Sequence, residues 1–159
     1  MDALLKLLQD NAALSPDELA VMLNTSETEV VEKIRALRRD KTIVAYQAVL
    51  NEEKLGIERV CAVIEVKITP EREGGFDRIA TRIAKFAEVR SCYLMSGGYD
   101  LLVVVEGHNL RRVAAFVSER LATIPGVVST ATHFMLKTYK QQGVFMGADS
   151  AEEHLSVSP

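Results

Sequence analysis

Apolar residues recur along this chain at two different spacings, and the change from one to the other divides it. Up to about residue 40 they return every three or four positions, as on one face of a helix; beyond residue 59 they form nearly unbroken runs, as in buried strands. Leu4, Leu5, Leu7 and Leu8 predict a short helix over 2–10. Ser15-Pro16-Asp17-Glu18 combines an N-cap serine, a proline at the first helical position and the glutamate of a capping box, so a second helix starts there and buries Leu19, Ala20, Met22 and Leu23. Asn24 tolerates the left-handed conformation that ends a helix, and Ser26-Glu27-Thr28-Glu29 opens a third. Its core stripe is Val30, Val31, Ile34 and Leu37, which leaves Thr28, Lys33, Arg35, Arg38 and Arg39 outward. Three short helices with a tight turn before the last are the pattern of a helix-turn-helix, and equally of a plain three-helix bundle with a solvated charged face. Alternation from Ile43 to Leu50 predicts a strand leading out, and polar residues 51–58, with Gly56, predict a linker.

Val60 to Ile68 reads as a strand stopped by Thr69-Pro70, and Phe76, Ile79, Ala80, Ile83 and Ala84 line a helix. Val89 to Met95 returns as a strand, Ser96-Gly97-Gly98-Tyr99-Asp100 turns the chain, and Asp100 to Glu106 runs back. A second helix on Leu110, Val113, Ala114, Val117 and Leu121 ends at Pro125-Gly126, and Val127 to Leu136 closes the series. The order β-α-β-β-α-β is the ferredoxin-like arrangement, with both helices on one face of a four-stranded antiparallel sheet. Leu101 to Val105 is apolar at every position, so the other face also needs cover, and a second copy of the chain is the expected donor. The expected boundaries are a helix-turn-helix domain over 1–50, a linker over 51–58, a ferredoxin-like domain over 59–140 and a flexible tail over 141–159.

Composition narrows the function classes. Of 159 residues, 48% are hydrophobic and 26% charged, as in ordinary water-soluble domains. No apolar run approaches the roughly 20 residues of a membrane span, so a cytoplasmic protein without membrane contact is expected. Cys61 and Cys92 stand in predicted strands without metal spacing, and the three histidines, 108, 133 and 154, are scattered, so free thiols, no metal and no cofactor are expected. The net charge of −3 argues against a non-specific nucleic-acid coat. Residues 1–50 hold six basic side chains (Lys6, Lys33, Arg35, Arg38, Arg39, Lys41) and eight acidic ones, so one such domain should bind DNA weakly. The turn at 96–100 carries different chemistry: paired glycines can present amide N–H groups to one small space beside the Asp100 carboxylate, which suits a zwitterion. A hairpin turn whose aspartate bonds its own backbone has the same sequence.

The order of these parts resembles the Lrp/AsnC family of feast/famine transcriptional regulators over residues 2 to about 143. Leu19-Ala20 through Ile34-Arg35-Ala36-Leu37, Ile43-Val44-Ala45-Tyr46, the Ser-Gly-x-Tyr-Asp turn and Ile124-Pro125-Gly126-Val127 carry the resemblance. Lys41 stands where the family commonly has glycine. The resemblance implies an α+β chain, a winged helix-turn-helix followed by a ferredoxin-like domain that dimerises through its sheet, with dimers assembling to an octamer. It implies double-stranded DNA as partner, with Ser26, Glu27, Thr28 and Lys33 reaching base edges and Lys33, Arg35, Arg38, Arg39 and Lys41 meeting phosphates. For an amino acid or similar small effector, Ser96, Gly97, Gly98, Tyr99 and Asp100 would form the turn site, and Thr130, Thr132, His133 and Phe134 would shape the side-chain pocket. Two other readings remain at this point. Sirohaem decarboxylase subunits share the architecture, but the matching strand here, Ser91-Cys92-Tyr93-Leu94-Met95, offers neither histidine nor arginine. The other is an effector or assembly partner that does not bind DNA.

Overall fold

Asp2, Ser15 and Ser26 each start a helix, because each side chain accepts a backbone N–H that the first helical turn leaves unpaired. Helix α1 spans Ala3–Asp10, α2 spans Pro16–Leu23 and α3 spans Glu27–Arg39. Both predicted capping boxes form: Ser15 N–H donates to Glu18 Oε2 at 2.8 Å, and Ser26 N–H to Glu29 Oε2 at 3.2 Å, each glutamate N–H donating back to the serine hydroxyl. Asn24, at φ 51° and ψ 52°, ends α2 in the left-handed conformation. Leu4, Leu8, Leu19, Ala20 and Val30 then close into one core. Burying each large aliphatic side chain there contributes about 1.5–3 kcal/mol.

The computed structural model describes residues 2–70, 72 and 74–147, and packing divides the chain into two units, with the boundary between Val49 and Leu50. Residues 44–50 form no strand among the described residues, so the predicted strand leading out has no counterpart there and the first unit is described by its three helices. A strand exists through its ladder, and Val44, 81% exposed, and its neighbours have no pairing strand among the described residues. The expected linker also differs. Asn51 caps a one-turn helix, α4 (Glu52–Leu55), Gly56 closes it at φ 61°, and Asn51 Nδ2 donates to Met146 O at 3.4 Å, so this segment belongs to the second unit.

The second unit has the predicted element order. Strands β1 (Val60–Ile68), β2 (Val89–Leu94), β3 (Leu101–Gly107) and β4 (Val127–Phe134) form an antiparallel sheet in the order β2-β3-β1-β4. Helices α5 (Asp77–Ala84) and α6 (Leu110–Ala115) supply the apolar cover of one face, and α6 runs on into a π-helical segment, Phe116–Leu121. Ala62, Ile64, Val66 and Ile68 of β1 and Leu101, Val103 and Val105 of β3 are buried beneath Ile79, Ile83, Val113, Phe116 and Leu121. Because side chains alternate along a strand, Val63, Leu102 and Val104 share the opposite face, where each is half-buried.

The end of the chain departs from expectation at residue 141. Strands β5 (Lys140–Gln141) and β6 (Val144–Phe145) pair through a two-residue turn in which Gln142 and Gly143 both have positive φ, 48° and 84°. Such turns match the twist of a hairpin. The rest of the expected tail, 148–159, lies outside the described residues.

Candidate functional site

The turn between β2 and β3 is held from below. Met95 N–H donates to Asp100 O at 2.8 Å, Asp100 N–H to Val66 O at 3.0 Å, and Ile68 N–H to Asp100 Oδ2 at 2.8 Å. Asp100 is therefore tied to the neighbouring strand β1 rather than to its own backbone. One carboxylate oxygen is committed to the fold, and among the described residues Oδ1 has no hydrogen-bond donor. Ser96, Gly97 and Gly98 are exposed, and a Cβ on either glycine would meet nothing within 4 Å. Positive φ belongs to Gly97 alone of the pair, at 140°, so it is the position that needs glycine for its conformation. Tyr99 is half-buried.

The β4 residues expected to shape the side-chain pocket spread along their strand. Thr130 stands opposite Val66, which also faces Leu101, so it shares the cross-strand row nearest the turn. Thr132 and Phe134, opposite Ile64 and Ala62, lie on the same helix-covered face but progressively farther away. At about 3.3 Å per residue, Phe134 is some 13 Å along the strand from Thr130. His133, opposite Val63, points to the other face, with Nε2 3.6 Å from Glu65 Oε1. Within one chain the four do not converge on the turn.

All eight residues expected to meet DNA are exposed. On α3, Thr28, Glu32, Arg35 and Arg39 recur at four, three and four and form the stripe facing away from Val30, Ile34 and Leu37. Lys33 faces elsewhere: its Nζ is 2.7 Å from Asp2 Oδ2 and ties α3 to the start of α1. Ser26 spends its hydroxyl on the helix cap, and Glu29 accepts a further bond from the Thr25 hydroxyl. Lys41 adopts φ 66°, the left-handed conformation for which glycine is the unstrained residue.

Among the described residues no group of three or more His, Cys, Asp or Glu side chains is placed to hold a metal ion. Both cysteines are free, and burial pushes both thiols up from their ordinary value, Cys61 also through the nearby Glu106 charge. No described helix is long and apolar enough to cross a membrane.

A three-helix unit with an exposed, capped third helix, followed by a ferredoxin-like unit with an open turn, is the architecture expected of a two-domain transcriptional regulator, and the comparisons with known proteins supply the class. Residues 61–145 match the family model of the Lrp/AsnC ligand binding domain, and the chain belongs to the Lrp/AsnC family. It is 43% identical over 157 residues, 98% of this chain and 95% of the other, to a protein of Bacillus subtilis named uncharacterized HTH-type transcriptional regulator YugG. The leucine-responsive regulatory protein of Escherichia coli is 28% identical over 84% of this chain and 81% of its own. Among solved structures, a transcriptional regulator of Neisseria meningitidis in complex with L-Met superposes with a TM-score of 0.69 at 25% identity, covering 89% of this chain and 93% of that one. These relatives are regulators and the chain is one too, which sets aside the decarboxylase reading.

Proposed function

We propose that the chain binds double-stranded DNA through the outward stripe of α3 as a homodimer, and that an α-amino acid held at the turn after β2 modulates that binding. The observation that carries the effector site is the anchoring of Asp100: with Oδ2 fixed by Ile68 N–H, Oδ1 is preorganised for an ammonium group beside the exposed amides of Gly97 and Gly98. A ligand with only an amine or only a carboxylate satisfies half of this arrangement. The Neisseria meningitidis regulator bound to L-Met supports an amino acid as the class. Thr130 is the β4 residue best placed to meet the ligand's side chain, and residues from a second chain complete the pocket.

Dimerisation rests on the uncovered sheet face, where Val63, Leu102 and Val104 lie beside Tyr93 at 53% exposure. A further assembly of four dimers would multiply the DNA contacts of a weakly charged reading domain. In the test, the protein is titrated onto its own upstream DNA at low and moderate salt, with and without each of twenty amino acids. A salt-dependent complex whose affinity changes with one or a few amino acids is expected. No complex at low salt would leave the chain as an assembly partner that does not bind DNA.

A further inference from the structure

Every residue of the outward stripe of α3 is exposed, and one of them is an acid. Thr28, Glu32, Arg35 and Arg39 succeed one another at four, three and four residues, on the side of the helix opposite Val30, Ile34 and Leu37. Among the described residues the Glu32 carboxylate has no hydrogen bond or ion pair. Other acids of the unit are engaged: Asp2 with Lys33, Glu18 and Glu29 in their capping boxes, and Asp40 with Thr42 N–H. Glu32 is also the sixth residue of α3, past the first turn in which a helix dipole favours an anion. Nothing in the fold accounts for an acid at this place.

Against DNA the same carboxylate has a definite consequence. A surface that meets a polyanion is ordinarily neutral or basic, and an acid turned toward phosphates repels them. An ionised glutamate only accepts hydrogen bonds, so it needs a donor in the groove. The base edges of the major groove offer two, the N4 amino group of cytosine and the N6 amino group of adenine. Adenine carries its N7 acceptor beside N6, and that lone pair repels a carboxylate oxygen. Cytosine carries only C–H beside N4. A glutamate therefore matches cytosine and mismatches the other three bases.

We propose that Glu32 determines sequence specificity by accepting from the N4 amino group of one cytosine in each half-site, a role that rests on the DNA binding proposed above. The stripe then divides between two tasks. Thr28 and Glu32 occupy the N-terminal half of α3, the part of a recognition helix that reaches base edges, about 6 Å apart along the axis. Arg35 and Arg39 follow about 4.5 and 10.5 Å beyond Glu32 and meet phosphates. In a homodimer the two-fold axis repeats the cytosine in the second half-site.

Selection of bound sequences from a random duplex library, run with the full-chain parent, Glu32→Gln and Glu32→Ala, tests this. The parent should enrich a site with one cytosine per half-site whose replacement weakens binding roughly tenfold. Glu32→Gln presents an amide that both donates and accepts, so the preference at that position alone should move to adenine. Glu32→Ala should bind the four versions of the site within about threefold of one another. Helicity by circular dichroism should be unchanged in both variants, since Glu32 is exposed and holds no partner. The same enriched site for all three proteins would overturn the proposal and leave DNA binding standing. So would a Glu32→Ala protein weakened equally on every sequence, the result expected if Glu32 only positions Arg35, or a Glu32-dependent position at which the parent prefers another base. If none of the three proteins enriches any sequence, DNA binding through α3 fails and the role of Glu32 fails with it.

Discussion

The proposed function asks two jobs of the one Asp100 carboxylate. Its Oδ2 closes the end of β1 through Ile68 N–H, and its Oδ1 is the proposed ammonium acceptor. Asp100→Asn can keep the first bond, since an amide oxygen also accepts, while removing the charge. Hydrogen bonds to charged groups are worth about 1.5–3 kcal/mol net, so calorimetry should show amino-acid binding weakened roughly tenfold or more with the melting temperature little changed. Gly97→Val should do comparable damage by strain at φ 140°. Four carboxylates of the first unit are held below their ordinary range: Asp2 by the Lys33 hydrogen bond, Asp17 by the Ser15 hydroxyl, Glu29 by the Thr25 hydroxyl, and Asp40 by Thr42 N–H. A depressed folded pKa adds stability above the unfolded value, and that stability is lost as pH falls through the folded value. The melting temperature followed by circular dichroism should therefore be flat above about pH 5 and fall below about pH 4, with a shallower fall in Asp2→Asn.

Elements whose signals are local were legible in the sequence. Ser15-Pro16-Asp17-Glu18 and Ser26-Glu27-Thr28-Glu29 act through bonds three residues apart, so two helix starts could be read directly. Elements that depend on distant partners were not. The alternation of Ile43 to Leu50 has no pairing strand among the described residues, and the hairpin after Lys140 turns on Gln142, a residue without turn preference. Nothing in the sequence brings Glu88 to Arg120, 32 residues on, or marks the π-helical segment. The turn at 96–100 was readable as a candidate site, but the dispersal of Thr130, Thr132, His133 and Phe134 followed only from register. On α3, position in the stripe separates residues that share a charge. Each phosphate that goes unneutralised should lower the salt slope of DNA binding by about 0.9, so Arg35→Ala with Arg39→Ala should reduce it by about 2 without loss of helicity. Lys33→Ala should instead act on stability by about 0–1 kcal/mol, as expected for an exposed ion pair, and leave the slope nearly intact.

At the scale of the second unit, one sheet face is packed under helices, and the other is apolar at its centre, with Val63, Leu102 and Val104 only half-buried among the described residues. A charge placed there tests whether a second copy covers it. Val104→Asp should yield insoluble protein or a destabilised monomer, because a buried unpaired charge costs several kcal/mol; a soluble, stable dimer of unchanged size in analytical ultracentrifugation would contradict the sheet-to-sheet arrangement. Regulation then requires that ligand binding at the turn and DNA binding at α3 be coupled. Coupling free energy is reciprocal, so whatever factor an amino acid applies to DNA affinity, DNA must apply to amino-acid affinity. Calorimetric titration of the effective amino acid into the protein, free and saturated with its own upstream DNA, measures this directly. The two dissociation constants should differ by the factor found in DNA titrations, and Asp100→Asn should reduce affinity in both states. Equal dissociation constants with and without DNA, or parent affinity in Asp100→Asn, would contradict coupling through the turn.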